Sequence, residues 1–237
     1  MNALARRMRQ DECERLETEI VGERVQLDPA GVLIVPNEHT LIVSDLHIEK
    51  GAAFARRGMM LPPYDTGLTL LLLERVLKRL EPRRVICLGD SFHDRKGAEQ
   101  MPDIYRDALV KLMAGRDWVW ISGNHDPEPP GGLGGETANE LCVGALVLRH
   151  EPLKQPAEGE IAGHLHPVAK VKGPGRAVRG TCFVGDGSRM ILPSFGVTTG
   201  GLNVLDRAFA GMFDLSRAKA FMTGMRKIYP VGFGALC

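Results

Sequence analysis

The chain has 237 residues, 44% of them hydrophobic, enough to bury a sizeable core. Its 30 Lys and Arg balance 29 Asp and Glu, so the whole-chain field excludes a strong general pull toward nucleic acid or membrane and leaves only a local basic face open. The polar N-terminus lacks a signal-like apolar core, no stretch reaches membrane-span length, and five scattered cysteines without a C-x-x-C pair suit reduced, mostly buried thiols, so a cytoplasmic protein is expected.

Residues 18–44 read as an opening β-meander: EIVGERVQL, GVLIV and TLIVS are apolar segments separated by the turn sequences DPAG and PNEH. In TGLTLLLLERVLKRL, residues 66–80, the leucines and Val76 recur at helical intervals until Pro82 stops the run. RRVICLGD at 83–90 predicts a strand, PDIYRDALVKLMAG at 102–115 a helix and DWVWISGNHD at 117–126 another strand. That alternation calls for a sheet with crossover helices. The Pro- and Gly-rich PEPPGGLGGE at 127–136 follows as the rim of a site. From 139 onward NELCVGALVLRH, EGEIAGHLH, PVAKVKG, AVRGTCFVG and SRMILPSFG predict a second sheet packed on the first, and the end of the chain a short basic helix and an irregular tail. The expected fold is α/β: two packed mixed sheets flanked by helices in four layers, αββα. A single domain is expected over 1–237, with its core at about 20–205 and a tail, 206–237, of no readable role.

Chemistry concentrates at the strand ends SDLH (44–47), LGD (88–90), SGNHD (122–126), LVLRH (ending at His150) and AGHLH (162–166). Residues just past the carboxyl ends of such strands lie where α/β proteins place ligands, and period-two geometry points Asp45 and His47 the same way. Asp45, His47, Asp90, Asn124, His150, His164 and His166 form a carboxylate, amide and imidazole set suited to Mn²⁺, Fe²⁺ or Zn²⁺. Two such ions roughly 3.5–4 Å apart can share a bridging carboxylate, acidify a water and clamp a phosphoryl group, which points to hydrolysis of phosphate esters. Gly89, Gly123 and Gly163 precede ligands, and positive φ is expected at each.

The ordered set D-x-H, GD, GNHD, H and GHxH over residues 41–166 resembles the calcineurin-like metallophosphoesterase superfamily. Carried over motif by motif, the resemblance implies that Asp45, His47, Asp90 and His166 hold one ion. Asp90, Asn124, His150 and His164 would hold the other, with Asp90 as the bridge. It further implies that His125 contacts the phosphate and protonates the leaving oxygen, its imidazole oriented by Asp126. The meander, LPPYD at 61–65, GDSFHD at 89–94, HEP at 150–152 and PSFG at 193–196 are together similar to the bacterial ligase-associated DNA damage response endonucleases, the PdeM-type phosphoesterases, over about 20–205. That likeness implies a manganese-dependent phosphodiesterase that cuts DNA in repair alongside a ligase, a helicase and an exonuclease. Protein serine/threonine phosphatases differ, with D-R-G after GD and GNHE in place of GNHD.

The family commonly reads D-L-H-x-G-K where this chain has Glu49 before Lys50. A solvated carboxylate paired with Lys50 is expected, the alternative being one that repels phosphate. Lys50, Arg56, Arg57, Arg95 and Lys96 flank the first two ligand loops as candidates for phosphate-backbone contacts, and His93 for a loop hydrogen bond or a substrate contact. His39 is placed in an exposed turn, and Trp118 and Trp120 in the core rather than on a base-stacking platform. Other functions open at this level are a phosphoesterase for nucleotides, cyclic nucleotides or a lipid-linked diphosphate, and a catalytically silent scaffold for DNA or repair partners. A homodimer is left open, and no convincing membrane-binding helix appears.

Overall fold

A computed structural model describes residues 13–59, 64–128, 130–173 and 175–237. The polar stretch up to Glu12, Leu61-Pro62-Pro63 of the LPPYD motif, and Pro129 and Pro174 lie outside the described residues. The segment read as a first strand is a hairpin, β1 (Leu16–Ile20) and β2 (Glu23–Asp28), turned at Val21-Gly22, and β3 (Val32–Val35) and β4 (Thr40–Val43) continue it antiparallel. After β4 comes α1 (Lys50–Arg56), whose seven residues are too few to show a period in the sequence. Next are α2 (Asp65–Leu80), β5 (Arg84–Leu88), α3 (Asp103–Met113), β6 (Asp117–Ile121) and β7 (Glu136–Ala138). β4 to β7 pair in parallel, so the first sheet runs in sequence order from β1 to β7. Parallel neighbours need long crossovers, and the helices supply two of them. Leu73, Val76 and Leu77 of α2 and Leu109 of α3 bury against Leu41, Val43, Cys87, Trp118 and Trp120.

The second sheet contains β8 (Glu140–Val143), β9 (Leu146–Arg149), β10 (Glu160–Ala162), β11 (Pro167–Gly173), β12 (Arg176–Gly185), β13 (Met190–Ile191), β14 (Leu202–Asn203), β15 (Lys219–Thr223) and β16 (Ile228–Gly232). Its order is β14-β11-β12-β13-β10-β9-β8, with β15 on the edge of β12 and β16 on β15. Between the sheets, Leu27, Leu33, Ile42, Ile86 and Val119 meet Leu148, Ile161, Phe183, Leu192 and Phe221. Each fully buried side chain of this kind contributes about 1.5–3 kcal/mol, so this seam is the main tie between the layers.

Three expectations change here. The end of the chain holds no basic helix: β15 and β16 form a hairpin through Gly224, because β12 offers an open edge to pair with, which no local pattern reveals. The outermost layer over Cys182, Val184 and Ala220 is a 3-10 turn and irregular chain carrying Phe209, Met212 and Phe213, where helices were expected. All five cysteines are free, but only Cys87 and Cys182 are buried, against the expectation of mostly buried thiols. His39 is exposed, and both tryptophans are in the core. No helix among the described residues is long and apolar enough to cross a membrane.

Candidate metal centre

The loops after β4, β5, β6, β9 and β10 meet at one place, and the backbone there is unusual. Asp45, His47, Asp90, His164 and His166 have φ of 54°, 44°, 47°, 68° and 45°, the left-handed region that residues with a Cβ avoid. Each such residue costs of order 1–3 kcal/mol, so neighbouring bonds must hold it. Asp45 N–H donates to the Gly89 carbonyl (3.3 Å), His47 N–H to that of Asp90 (2.9 Å), Ile48 N–H to that of Ser91 (2.9 Å) and Gly163 N–H to that of His150 (3.0 Å). The glycine expectation holds only at Gly89, with φ 69°. Gly123 and Gly163 are needed for close approach instead: a Cβ would stand 2.2 Å from the Asp90 nitrogen in the first and 1.8 Å from Ser44 Oγ in the second. The conformational strain sits on the candidate ligands themselves.

Two clusters result, Asp45 with His47 and His166, and Asp90 with His150 and His164, the candidate ligand atoms in each lying within 4.8 Å of one another. In the first, His166 Nε2 is 3.0 Å from Asp45 Oδ1 and 3.4 Å from His47 Nε2. In the second, His150 Nε2 lies 3.3 Å from Asp90 Oδ1, 2.8 Å from Asn124 Oδ1 and 3.3 Å from His164 Nδ1, which is itself 2.9 Å from Asn124 Oδ1. Asp90 joins them, with Oδ1 toward His150 and Oδ2 3.9 Å from His47 Nε2.

This donor set fits divalent cations. Facing imidazole nitrogens 3.3–3.4 Å apart repel one another as two lone pairs or as two charged rings, so either a proton or a cation must lie between them. A cation between them, with carboxylates alongside, satisfies the facing nitrogens and oxygens at once. His150 Nδ1–H donates to the Leu88 carbonyl at 2.8 Å, which turns Nε2 to the cluster as in metal-bound histidine. Burial would lower this ring, but the bond to Asp90 raises it to about 9, so a cation would bind at Nε2 by displacing its proton. Burial pushes His47 down to about 3, keeping its imidazole in the neutral form a ligand needs. Burial would raise Asp90, yet the hydrogen bond from His150 and its charge hold the carboxyl well below the usual range.

His125 stands at the open side, its side chain 41% exposed and Nε2 3.9 Å from Asp90 Oδ2. Its Nδ1–H donates to the His93 carbonyl at 2.9 Å. The expectation that Asp126 orients this ring is therefore corrected: Asp126 turns inward, Oδ2 accepting from Phe92 N–H at 3.0 Å, and burial raises its carboxyl to about 7. His93 is buried and stacks on His125 with ring centroids 5.1 Å apart, so it supports the neighbouring ring.

Glu49 also differs from the expectation. It is 5% exposed, and Oε1 accepts a hydrogen bond from Thr66 Oγ1 at 2.9 Å, while Thr66 Oγ1 accepts from Glu49 N–H. Asp65 Oδ2 accepts from Gly51 N–H at 2.8 Å, so the start of α2 braces the start of α1. Lys50 donates to the Thr198 carbonyl (3.3 Å), Arg56 pairs with Asp94 and Arg95 with Glu128, while Arg57 and Lys96 are exposed. The sequence reading missed Ser44, which donates to Asp45 Oδ2, and Ser194, whose Oγ donates to the Asp45 carbonyl at 2.9 Å. Ser44 adjoins the candidate ligand Asp45, a weak signal. Ser194 lies 149 residues away, and nothing local marks it.

The family model for calcineurin-like phosphoesterase matches residues 39–202. Among solved structures, the chain is similar to the crystal structure of Pseudomonas putida nuclease MPE, at 28% identity and a TM-score of 0.71, covering 92% of this chain and 100% of that one. No curated protein matches the chain.

Proposed function

The chain belongs to the calcineurin-like phosphoesterase family and is a phosphoric ester hydrolase, and from that premise we propose that it is a manganese-dependent phosphodiesterase cutting DNA. The observation that carries this reading is Asp90, which turns one oxygen toward each of two His/Asp clusters, in a chain similar to a nuclease along almost its whole length. Asp45, His47, Asp90 and His166 would hold one ion, and Asp90, Asn124, His150 and His164 the other. Bound divalent ions supply Lewis acidity to phosphoryl oxygens and lower the pKa of water.

The chain's own groups do the rest. The left-handed backbone of five ligand residues fixes the donors before substrate arrives, so no reorganisation falls within the reaction. His125, tethered at Nδ1, presents Nε2 to the open side, where a proton can pass to the leaving oxygen. The stacked His93 ring keeps that imidazole in one orientation. Lys50, Arg57, His93 and Arg95 remain the candidates for contacts to the substrate close to the ions. We place the activity in the cytoplasm, in repair with a ligase, a helicase and an exonuclease, on the strength of the resemblance alone.

The test is hydrolysis by purified protein with Mn²⁺ of bis-p-nitrophenyl phosphate, the matching monoester and circular DNA. Cleavage of the diester and of circular DNA supports a two-metal endonuclease. Activity confined to the monoester or to nucleotides moves the substrate to small molecules, and silence on all of them favours a scaffold.

A further inference from the structure

The near-neutral charge of the whole chain conceals an asymmetry. Residues 167–237 contain ten Lys and Arg against three Asp and Glu, whereas residues 1–166 contain 20 against 26. Part of this charge is arrayed on the β11–β12 ribbon. Lys170 and Arg179 are direct cross-strand partners, and Lys172 lies two residues further along the same face. All three are exposed, and none has an ion-pair partner among the described residues. Like charges placed opposite each other weaken a strand pair, so this arrangement is set against folding and calls for an external anion.

The same face leads to the metal centre. Val168 and Thr181, one step along from Lys170 and Arg179, line a cavity of about 280 Å³ together with His166, Arg179, Ser194 and Thr199. Its inner wall is built on the metal centre's own backbone, since both Ser194 Oγ and Gly196 N–H donate to the Asp45 carbonyl. At the rim, Arg179 Nη2 donates to the Gly201 carbonyl at 2.9 Å, which fixes the guanidinium there. Five glycines, 31, 180, 196, 200 and 224, leave the walls bare, and no Phe, Tyr or Trp lines the cavity among the described residues. A site without stacking rings grips sugar and phosphate rather than reading bases. By contrast, Arg56 and Arg95 beside the first ligand loops already have carboxylate partners.

We propose that the β11–β12 ribbon is a phosphate-backbone track, leading a polynucleotide strand past Lys172, Lys170 and Arg179 through this cavity to His166. This rests on the phosphodiesterase reading and deepens it: the substrate is a polymer, held several nucleotides away from the scissile bond.

The test compares the full chain with the Lys170→Ala/Lys172→Ala double variant, whose exposed side chains leave the fold intact. With Mn²⁺, bis-p-nitrophenyl phosphate is too short to reach the ribbon and keeps its rate within about twofold, while cleavage of a labelled oligodeoxynucleotide of about 30 residues falls about tenfold in kcat/KM at low salt. Fluorescence anisotropy of the same oligonucleotide shows a salt slope shallower by about 1.4, roughly 0.7 for each lost phosphate contact on a single strand. Unchanged oligonucleotide cleavage and slope overturn the track, and so does an equal fall on both substrates, which would place the lysines' effect at the metal centre. Wild-type protein that hydrolyses neither substrate overturns the phosphodiesterase reading instead. Anisotropy then still decides the ribbon, a slope that differs between the two proteins supporting it and equal slopes removing it.

Discussion

Arg189 and Asp90 are both almost fully buried, at 1% and 2% exposure, yet their surroundings differ in kind. The Arg189 guanidinium ends on partners: Glu160 Oε2 and the carbonyls of Leu153, Gln155 and Met212. Glu160 Oε1 in turn accepts from Leu153 N–H and Arg149, and Arg149 reaches Glu140 at 2.6 Å. Charges are matched within the network, and of the two guanidinium groups only the Nε atoms lack an acceptor among the described residues. Around Asp90 and Asp45, carboxylate oxygens and imidazole nitrogens converge on shared space, with nitrogens of neighbouring rings 3.3–3.4 Å apart. Burial of charge alone therefore does not mark a functional site. What marks it is a donor set whose members satisfy one another only through something added from outside.

Substitutions at the two places should fail in opposite ways. The largest expected effect is that of Asp90→Asn, which removes charge from both clusters and should lower diester turnover by about 10⁴-fold or more, ~5.4 kcal/mol in the barrier. Its melting temperature in chelator should stay near that of the wild type. Mn²⁺ at about 100 times the dissociation constant should stabilise the wild type by ~2.7 kcal/mol and the variant scarcely at all. A variant that keeps both turnover and the Mn²⁺ shift would remove Asp90 from the bridge. Glu160→Ala should do the reverse, stranding the buried Arg189 at a cost of about 3–5 kcal/mol and a fall of roughly 6–20 °C in melting temperature, alike with and without metal. Turnover per folded molecule should hold, and a metal-dependent loss would erase the distinction between the clusters.

His125→Ala sharpens the comparison within the metal centre, since its ring stands beside the donor set and is not counted in it. The Mn²⁺ shift should remain while turnover falls about 10²–10⁴-fold for a poor leaving group and less for p-nitrophenolate. Loss of the shift would make His125 a ligand. The smallest effect is expected at Glu49→Gln, because the amide can still accept from Thr66 and the carboxylate is turned into the α1–α2 junction. Changes in stability and turnover should stay within about 1 kcal/mol. A large rise in turnover would revive the reading of Glu49 as a phosphate-repelling charge.

Much of the first sheet was legible, because β4, β5 and β6 are continuous apolar runs and α2 repeats its leucines at helical spacing until Pro82. The candidate ligands were legible because each sits at or just past a strand end within a short motif. Glycine's part was half legible: Gly89 has the expected positive φ, but what Gly163 avoids is Ser44 Oγ, an atom 119 residues earlier in the chain. The basic helix expected near the end was wrong because Ala218, Ala220 and Met222 bury against strands whose edge exists only once β12 has formed. The Asp126 assignment failed for a related reason, since a carboxylate beside a histidine in sequence is free to turn toward any nearby N–H, and Phe92 supplied one.

By itself the sequence determined the order of the elements from α2 to β6, the chemical type of the candidate ligands and their nearness to strand ends, since these follow from periodicity and side-chain chemistry over a few residues. Tertiary structure decided which ring nitrogens face one another, which carbonyl holds His125, where the Glu49 carboxylate turns and where the uncompensated lysines gather. Those outcomes depend on contacts between residues tens to more than a hundred positions apart, and the energy of a polar atom is set by the partner that folding brings to it.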